Sequence, residues 1–246
     1  MSTAGEVWKD KALVRTYLDG IRDAIPLARE QINVMLRLVE SAAAPVQRFA
    51  DLGCGNGLLS RALLDRYPGA SATLVDFSQP MMEEARTLLA HYGTTCRLID
   101  ADLSAGEWVS SMANATPFDV IVSGYAIHHL TDERKRELYQ EIFDLLRSGG
   151  LFVNTEHVRS TTPWIETIFN DLLIDSFYEH QLKRGLKMTR EQVAEQYVNR
   201  QDKHDNILAL AEDQFRWLRE CGFEDVDCYF KIFELAIFGG RRPATR

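Results

Sequence analysis

From residue 46 onward, apolar runs at 46–52, 72–76, 96–100, 118–123 and 150–155 alternate with helical patterns at 57–66, 79–91, 104–113 and 132–147. Few folds accept that alternation. Strands separated by helices pair in parallel through right-handed crossovers, and the helices cover both faces of the resulting sheet. Two further runs, Val226–Phe230 and Leu235–Phe238, stand too close together for a helix to intervene and are expected to be antiparallel to each other. The expected fold class is α/β, with five parallel strand candidates and a C-terminal antiparallel pair.

The flanks read differently. Residues 1–45 look helical: Val14, Tyr17 and Ile21, then Ile32, Met35, Leu36, Leu38 and Val39, recur at helical spacing, with Pro26 between the two segments. Residues 46–158 form the alternating core. Residues 159–210 form a helical insertion with a capping box at Thr189 and Gln192, and residues 211–246 hold a last helix and the antiparallel strands. At 246 residues the chain is read as a single domain, 1–246, with these elaborations. Its net charge of −8 argues against broad nucleic-acid binding, which would need a local basic patch. Cys54, Cys96, Cys221 and Cys228 are scattered without a C-x-x-C pair, as in a reducing compartment. The opening MSTAGEVWKDK lacks the apolar stretch of a signal peptide, and no run has membrane-span length, so a cytoplasmic protein is expected.

The most informative loop is FADLGCGNGLLS at 49–60, where the first strand ends and Gly53, Gly55 and Gly57 follow at alternate positions. In an open α/β sheet, ligands bind beyond the carboxyl ends of the strands, where a tight turn lets backbone approach closely. The dinucleotide fingerprint is G-x-G-x-x-G, whereas here Asp51 precedes a G-x-G-x-G. An acid before the loop suits an ammonium better than a pyrophosphate, which favours a nucleoside carrying an amino acid. Asp76 ends the second strand 19 residues after Gly57, where a carboxylate can accept from both ribose hydroxyls. Asp102 follows the third strand and can accept from an adenine amino group. Phe77 and Met81 lie close enough to pack on a purine.

These residues resemble the class I S-adenosylmethionine-dependent methyltransferases. The resemblance rests on DLGCGNG, LVDFS with Met81, ADL at 101–103, FDVIVSGYAIHHL, LLRSGGLFVN and the closing CGFEDVDCYFKIFELAIFGG. It runs over nearly all of residues 12–240 and implies a Rossmann-like seven-stranded sheet, mostly parallel, with an antiparallel strand at the C-terminal end. It also implies S-adenosyl-L-methionine as cofactor. Gly53 and Gly55 would pass its methionine part, Asp51 its amino group, Asp76 its ribose, and Asp102 with Leu103 its adenine. Backbone at Ser123 and Gly124 would border the sulfonium, and Tyr17 is the candidate for an N-terminal aromatic closing over the cofactor.

Methyl transfer from a sulfonium leaves a neutral thioether, so catalysis reduces to alignment, water exclusion and removal of the acceptor's proton. The candidate bases are His128 and His129 after the fourth strand, and Glu156 and His157 after the fifth. No metal is expected, because these groups lack ligand spacing on a single helix and the reaction needs none. The insertion interleaves Trp164, Phe169, Phe177, Tyr178 and Tyr197 with His180, Arg184, Arg190, Arg200 and His204. Most of the aromatics are expected in the core, a few in a lid. Such a cap suits a small aromatic or anionic acceptor.

A narrower pattern, YLDGIRDAIP, WLRECGF and VDCYFKIFELAIFGG, is similar to carboxy-S-adenosylmethionine synthases, which alter the cofactor for a tRNA wobble modification. That likeness implies a cation for the added carboxylate, with Arg200 in the corresponding part of the insertion. The AIHHL segment departs from it, placing imidazoles where that family tends to carry uncharged residues. A cofactor-binding protein without activity is a further alternative on this fold. The expected function is methyl transfer to an O, N or S atom of a small-molecule acceptor, with a homodimer left open.

Overall fold

The computed structural model describes residues 6–18, 24–42 and 45–244; Ile21 of the N-terminal pattern lies outside the described residues. Seven strands form one sheet: β1 (Arg48–Leu52), β2 (Ser71–Asp76), β3 (Cys96–Asp100), β4 (Phe118–Gly124), β5 (Leu146–His157), β6 (Glu224–Ile232) and β7 (Leu235–Arg241). Their order is β3-β2-β1-β4-β5-β7-β6. The first five pair in parallel, and β7 runs antiparallel to both β5 and β6.

The strands alternate between two apolar layers. Ala50, Leu52, Ile121, Phe152 and Phe238 face one, whereas Phe49, Leu74, Val120, Val122, Leu151 and Ile237 face the other. A sheet covered on both faces needs strands that are apolar throughout, which is why these runs show so little polar alternation. The covering helices are α3 (Leu58–Arg66), α4 (Gln79–Leu89), α5 (Trp108–Met112), α6 (Asp132–Leu145) and α9 (Ala211–Glu220), with α1 (Lys11–Thr16) and α2 (Ala28–Ala42) ahead of the sheet. Local chemistry fixes several starts: Ser78 caps α4 through Met81 N, and Thr131 caps α6 through Arg134 N.

The insertion folds as α7 (Pro163–Lys183) and α8 (Arg190–Val198). The Thr189–Gln192 capping box is present at the start of α8. Phe169, Leu173, Ile174 and Tyr197 form a small apolar core with Leu235 of β7, which seats the insertion against the end of the sheet.

Some boundaries differ from the sequence pattern. The helix expected over 104–113 shrinks to Trp108–Met112, because Asp102 accepts from Ser104 N and holds the preceding chain in a turn. Strand β5 starts at Leu146 instead of 150, and its pairing with β4 is irregular between Phe118 and Val120. Of the insertion's aromatics, Phe169 and Tyr197 are buried, whereas Trp164 is 73% exposed at the start of α7.

A Cβ on Gly239 of β7 would come within 1.9 Å of the Phe152 carbonyl oxygen on β5. Gly239→Ala should therefore force these strands apart, costing roughly 3 kcal/mol of stability in a urea titration. Ala236→Gly on the same strand should cost only about 1 kcal/mol.

Candidate active site

The strand order reverses at β1, which lies between β2 and β4, so the loops after β1 and β4 leave in different directions. The glycine loop fills this gap. Gly53 has φ +64°, and a Cβ on it would stand 2.2 Å from the Cβ of Ala126, so the loop packs directly on the segment after β4. At Gly55, φ is +53° and the nearest obstacle to a Cβ is the Met81 sulfur at 3.9 Å, which leaves bare backbone beside open space.

Two chambers adjoin here. One is lined by Gly53, Gly55, Asp76, Phe77, Met81, Asp102, Leu103 and Gly124. The other lies under the helical insertion and is lined by His128, His157, Phe169, Phe177, Tyr197 and Arg200. Trp8, Tyr17, Tyr125 and His129 line both.

In the first chamber the Asp76 carboxylate is held by backbone: Oδ2 accepts from Gly55 N at 2.7 Å and Oδ1 from Ser78 N at 2.8 Å. Burial pushes its carboxyl above the ordinary range, while the N–H groups of Ser78, Gly55 and Phe77 oppose that rise. Asp102 ends its loop with Oδ1 accepting from Ser104 N at 2.8 Å.

Two expected contacts lie behind the wall. Asp51 is buried, its Oδ2 accepting from Ser60 Oγ at 2.7 Å and Ser60 N at 3.2 Å, and it does not line the chamber. Its carboxylate holds the first turns of α3, a sensible use of an anion near a helix N-terminus. Ser123 is also buried: its hydroxyl donates to Leu52 O at 2.7 Å, tying β4 to β1, while Gly124 reaches the surface of the chamber.

Trp8 was not legible as a site residue, since a lone aromatic in the polar GEVWKDK segment has no partner at helical spacing. Its ring stands edge-on to Tyr17 at 5.0 Å, its carbonyl accepts from Ser78 Oγ, and Nε1 donates to His129 Nε2 at 3.3 Å. Tyr125 was missed as well. It adopts φ +54°, a strained conformation costing about 1–3 kcal/mol. Its N–H donates to Thr155 O at 2.8 Å and its hydroxyl to Gln31 Oε1 at 2.6 Å, which hold the residue in place.

The structure separates the two adjacent histidines. His129 Nε2 accepts from Trp8 and Nδ1 lies 3.3 Å from the Asp205 carbonyl, so Nδ1 carries the proton and both nitrogens are engaged. Burial, with His128 beside it, pushes its pKa down to about 3. In this arrangement His129 is a wall between the chambers and has no lone pair left for a base. His128 is paired instead with Glu156, with Nδ1 2.6 Å from Oε1. Burial pushes Glu156 up to about 7, against donation from His157 N and Asn154 Nδ2, and the same desolvation pushes His128 well below its ordinary value. With a proton on Nδ1 facing the carboxylate, Nε2 keeps its lone pair. His157 forms a second pair, Nε2 to Glu234 Oε2 at 2.7 Å, and its ring centroid is 5.8 Å from that of His128.

The insertion reaches the second chamber through its final segment. Arg200 Nε donates to Asp202 Oδ1 at 3.0 Å and Nη2 to Oδ2, so the guanidinium is clamped by a buried carboxylate. The Ile207 N–H donates to the His128 carbonyl at 2.8 Å, and the fully buried Lys135 donates to the Ile207 carbonyl. Among the described residues no group of three or more His, Cys, Asp or Glu could hold a metal ion, and no helix is long and apolar enough to cross a membrane.

Comparison with known proteins agrees with this geometry. Residues 49–150, which carry the glycine loop and β1 through β4, match the model of the methyltransferase domain. Over these residues the chain is similar to the class I S-adenosylmethionine-dependent methyltransferases. An O-methyltransferase family protein from Burkholderia thailandensis superposes with a TM-score of 0.60 at 16% identity, over 92% of this chain and 60% of that one. Human N-acetylserotonin methyltransferase, solved with S-adenosylmethionine, gives 0.57 at 14% identity, over 99% and 61%. The chain spans about three fifths of the length of both solved proteins, and that likeness is one of fold. The carboxy-S-adenosyl-L-methionine synthase of Aeromonas hydrophila is 29% identical over 236 residues, 93% of this chain and 88% of that protein.

The first chamber fits the family's cofactor. Gly55 offers backbone beside space that a side chain would fill, Asp76 and Asp102 are acceptors at two successive strand ends, and Phe77, Met81, Leu103 and Leu130 give apolar walls. Hydroxyls, an amino group and a purine face are what that set can hold.

The Glu156 shift sets a pH dependence. A carboxyl near 7 when folded and near 4.5 when unfolded stabilises the fold below 4.5, and that contribution is lost as pH rises through 7. His128 and His129, depressed on folding, act in the opposite sense and lose their contribution as pH falls below 6.5. Glu156→Gln should therefore remove part of the stability loss between pH 6 and 8, by up to roughly 1 kcal/mol per pH unit. Thermal melts at the two pH values measure this, and an unchanged difference would show that Glu156 does not titrate there.

Proposed function

We propose that this protein transfers a methyl group from S-adenosylmethionine to an oxygen, nitrogen or sulfur atom of a small-molecule acceptor, with His128 as the base. The reading rests on one observation above the others: His128, in a buried pair with Glu156 at 2.6 Å from Nδ1 to Oε1, lines the chamber next to the cofactor chamber. When bound, the cofactor supplies a methyl group on a sulfonium, and its departure as a thioether needs no acid.

The chain's own residues do the rest. Asp76 would accept from the ribose hydroxyls and Asp102 from the adenine amino group. Phe77, Met81 and Leu103 would hold the purine, while Gly53, Gly55 and Gly124 would pass the methionine part and the sulfonium. Asp51 acts on the amino group through the loop it braces, not by lining the chamber. Trp8 and Tyr17 close the top and exclude water. Glu156 fixes the tautomer of His128 so that Nε2 takes the acceptor's proton, a role worth about 10²–10⁴ in rate. His157, held by Glu234, borders the acceptor and positions it.

His128→Gln should lower turnover by about 10²-fold or more while S-adenosylmethionine affinity stays within about twofold; equal losses in both would assign His128 a structural role. Asp76→Ala should weaken cofactor binding by roughly 1–3 kcal/mol and also lower Tm, because Gly55 and Ser78 lose their acceptor. Calorimetry showing unchanged affinity would remove Asp76 from the cofactor site.

A second reading is supported by the extent of similarity to the Aeromonas hydrophila synthase and by the presence of Arg200 in the second chamber. There the product would be a carboxylated cofactor and the guanidinium would hold its added carboxylate. Mass spectrometry of the nucleoside carried through native purification separates the two readings. The ordinary cofactor or its demethylated product supports methyl transfer; a species heavier by the mass of carbon dioxide supports carboxylation.

A further inference from the structure

Asp202 lines the second chamber, Glu156 and Glu234 pair with its histidines, and all three carboxylates already have a cationic or hydrogen-bonding partner. Asp202 is clamped by Arg200, Glu156 faces His128 and Asn154, and Glu234 faces His157. Lys203 is different. It lies on the 3-10 turn Gln201–Asp205, lines the chamber, and places Nζ 4.4 Å from the centroid of the Tyr197 ring. Among the described residues no carboxylate forms an ion pair with it, and Glu166 and Glu234 act on it only from beyond ion-pair distance. Its half-buried ammonium therefore meets an aromatic face on one side and the chamber on the other. A desolvated ammonium without a counter-ion is costly, and an anionic ligand would offset that cost.

The surrounding walls narrow the ligand further. Phe169, Phe177, Tyr197, Leu173 and Leu235 give apolar and aromatic surface, in a chamber of about 680 Å³ including its open mouth. His128 and Lys203 line this same chamber.

We propose that Lys203 selects the acceptor: a small, flat organic acid whose carboxylate sits on the Lys203 ammonium while its nucleophilic atom faces His128. Arg200 is a poorer candidate for this contact, because Asp202 already occupies its fork. The proposal rests on the methyl-transfer reading for the identity of the nucleophile, but the anion contact can be tested without turnover.

The test uses full-length protein saturated with the demethylated cofactor product, titrated calorimetrically with benzoate and with benzamide, its neutral analogue of the same shape. Wild type should bind benzoate about tenfold or more tighter than benzamide, as expected for a charge-assisted hydrogen bond. Lys203→Met should abolish that preference, Lys203→Arg should keep most of it, and both should bind the demethylated product as wild type does, which shows that the chambers are intact. Absence of benzoate binding, equal binding of the two probes by wild type, or an undiminished preference in Lys203→Met would overturn the proposal. Recovery of a carboxylated nucleoside from the native protein would instead overturn the methyl-transfer reading, and the benzoate titration would still decide Lys203.

Discussion

Everything at the site depends on the reversal of strand order at β1. Because β2 lies on one side of β1 and β4 on the other, the loops after β1 and β4 diverge and leave a cleft that no side chain from the sheet can fill. The cleft is kept narrow by small residues. Gly53 abuts Ala126, and the Asp76 carboxylate reaches back to Gly55 N, so the loops after β1, β2 and β4 are locked together. A side chain at Gly53 would separate them, and the aspartate at the end of β2 would lose its seat.

Buried carboxylates recur around this cleft, and their partners divide them by task. Asp51 and Asp76 accept from backbone and hydroxyl groups and brace loops. Glu156 has weaker compensation for its burial and is pushed to about 7, where it can share a proton with His128. The difference is environmental: the same functional group is a brace under a loop rich in N–H donors and a titrating partner at the sheet end.

The helical insertion makes a second chamber out of what would otherwise be an open strand end. Its apolar core grips Leu235, its last segment hydrogen-bonds the His128 carbonyl through Ile207, and buried Lys135 holds that segment down. Trp8 and Tyr17 come from the other end of the chain and stand where the chambers meet. A chain similar to carboxy-S-adenosyl-L-methionine synthases lines its second chamber with two imidazoles, His128 and His157, each paired with a carboxylate.

The sequence by itself determined the sheet, the glycine loop and the acids at the ends of β2 and β3, because these follow from local signals: apolar runs, backbone freedom at Gly53 and Gly55, and fixed spacing to Asp76 and Asp102. It also brought His128, His129, Glu156 and His157 to one region, since the histidines at 128 and 129 follow the end of β4 and the other two residues close β5 on the same side. Only the tertiary structure decided how each is engaged. His129 is bonded by Trp8, 121 residues away in the chain, and His128 is paired with Glu156, 28 residues away. Asp51 and Ser123 were turned from expected contacts into braces by Ser60 and by the Leu52 carbonyl, partners that spacing alone does not reveal. The lone Trp8 and the cation Lys203 had no readable signal, because a side chain's role in a cavity depends on long-range packing that brings distant segments to the same wall.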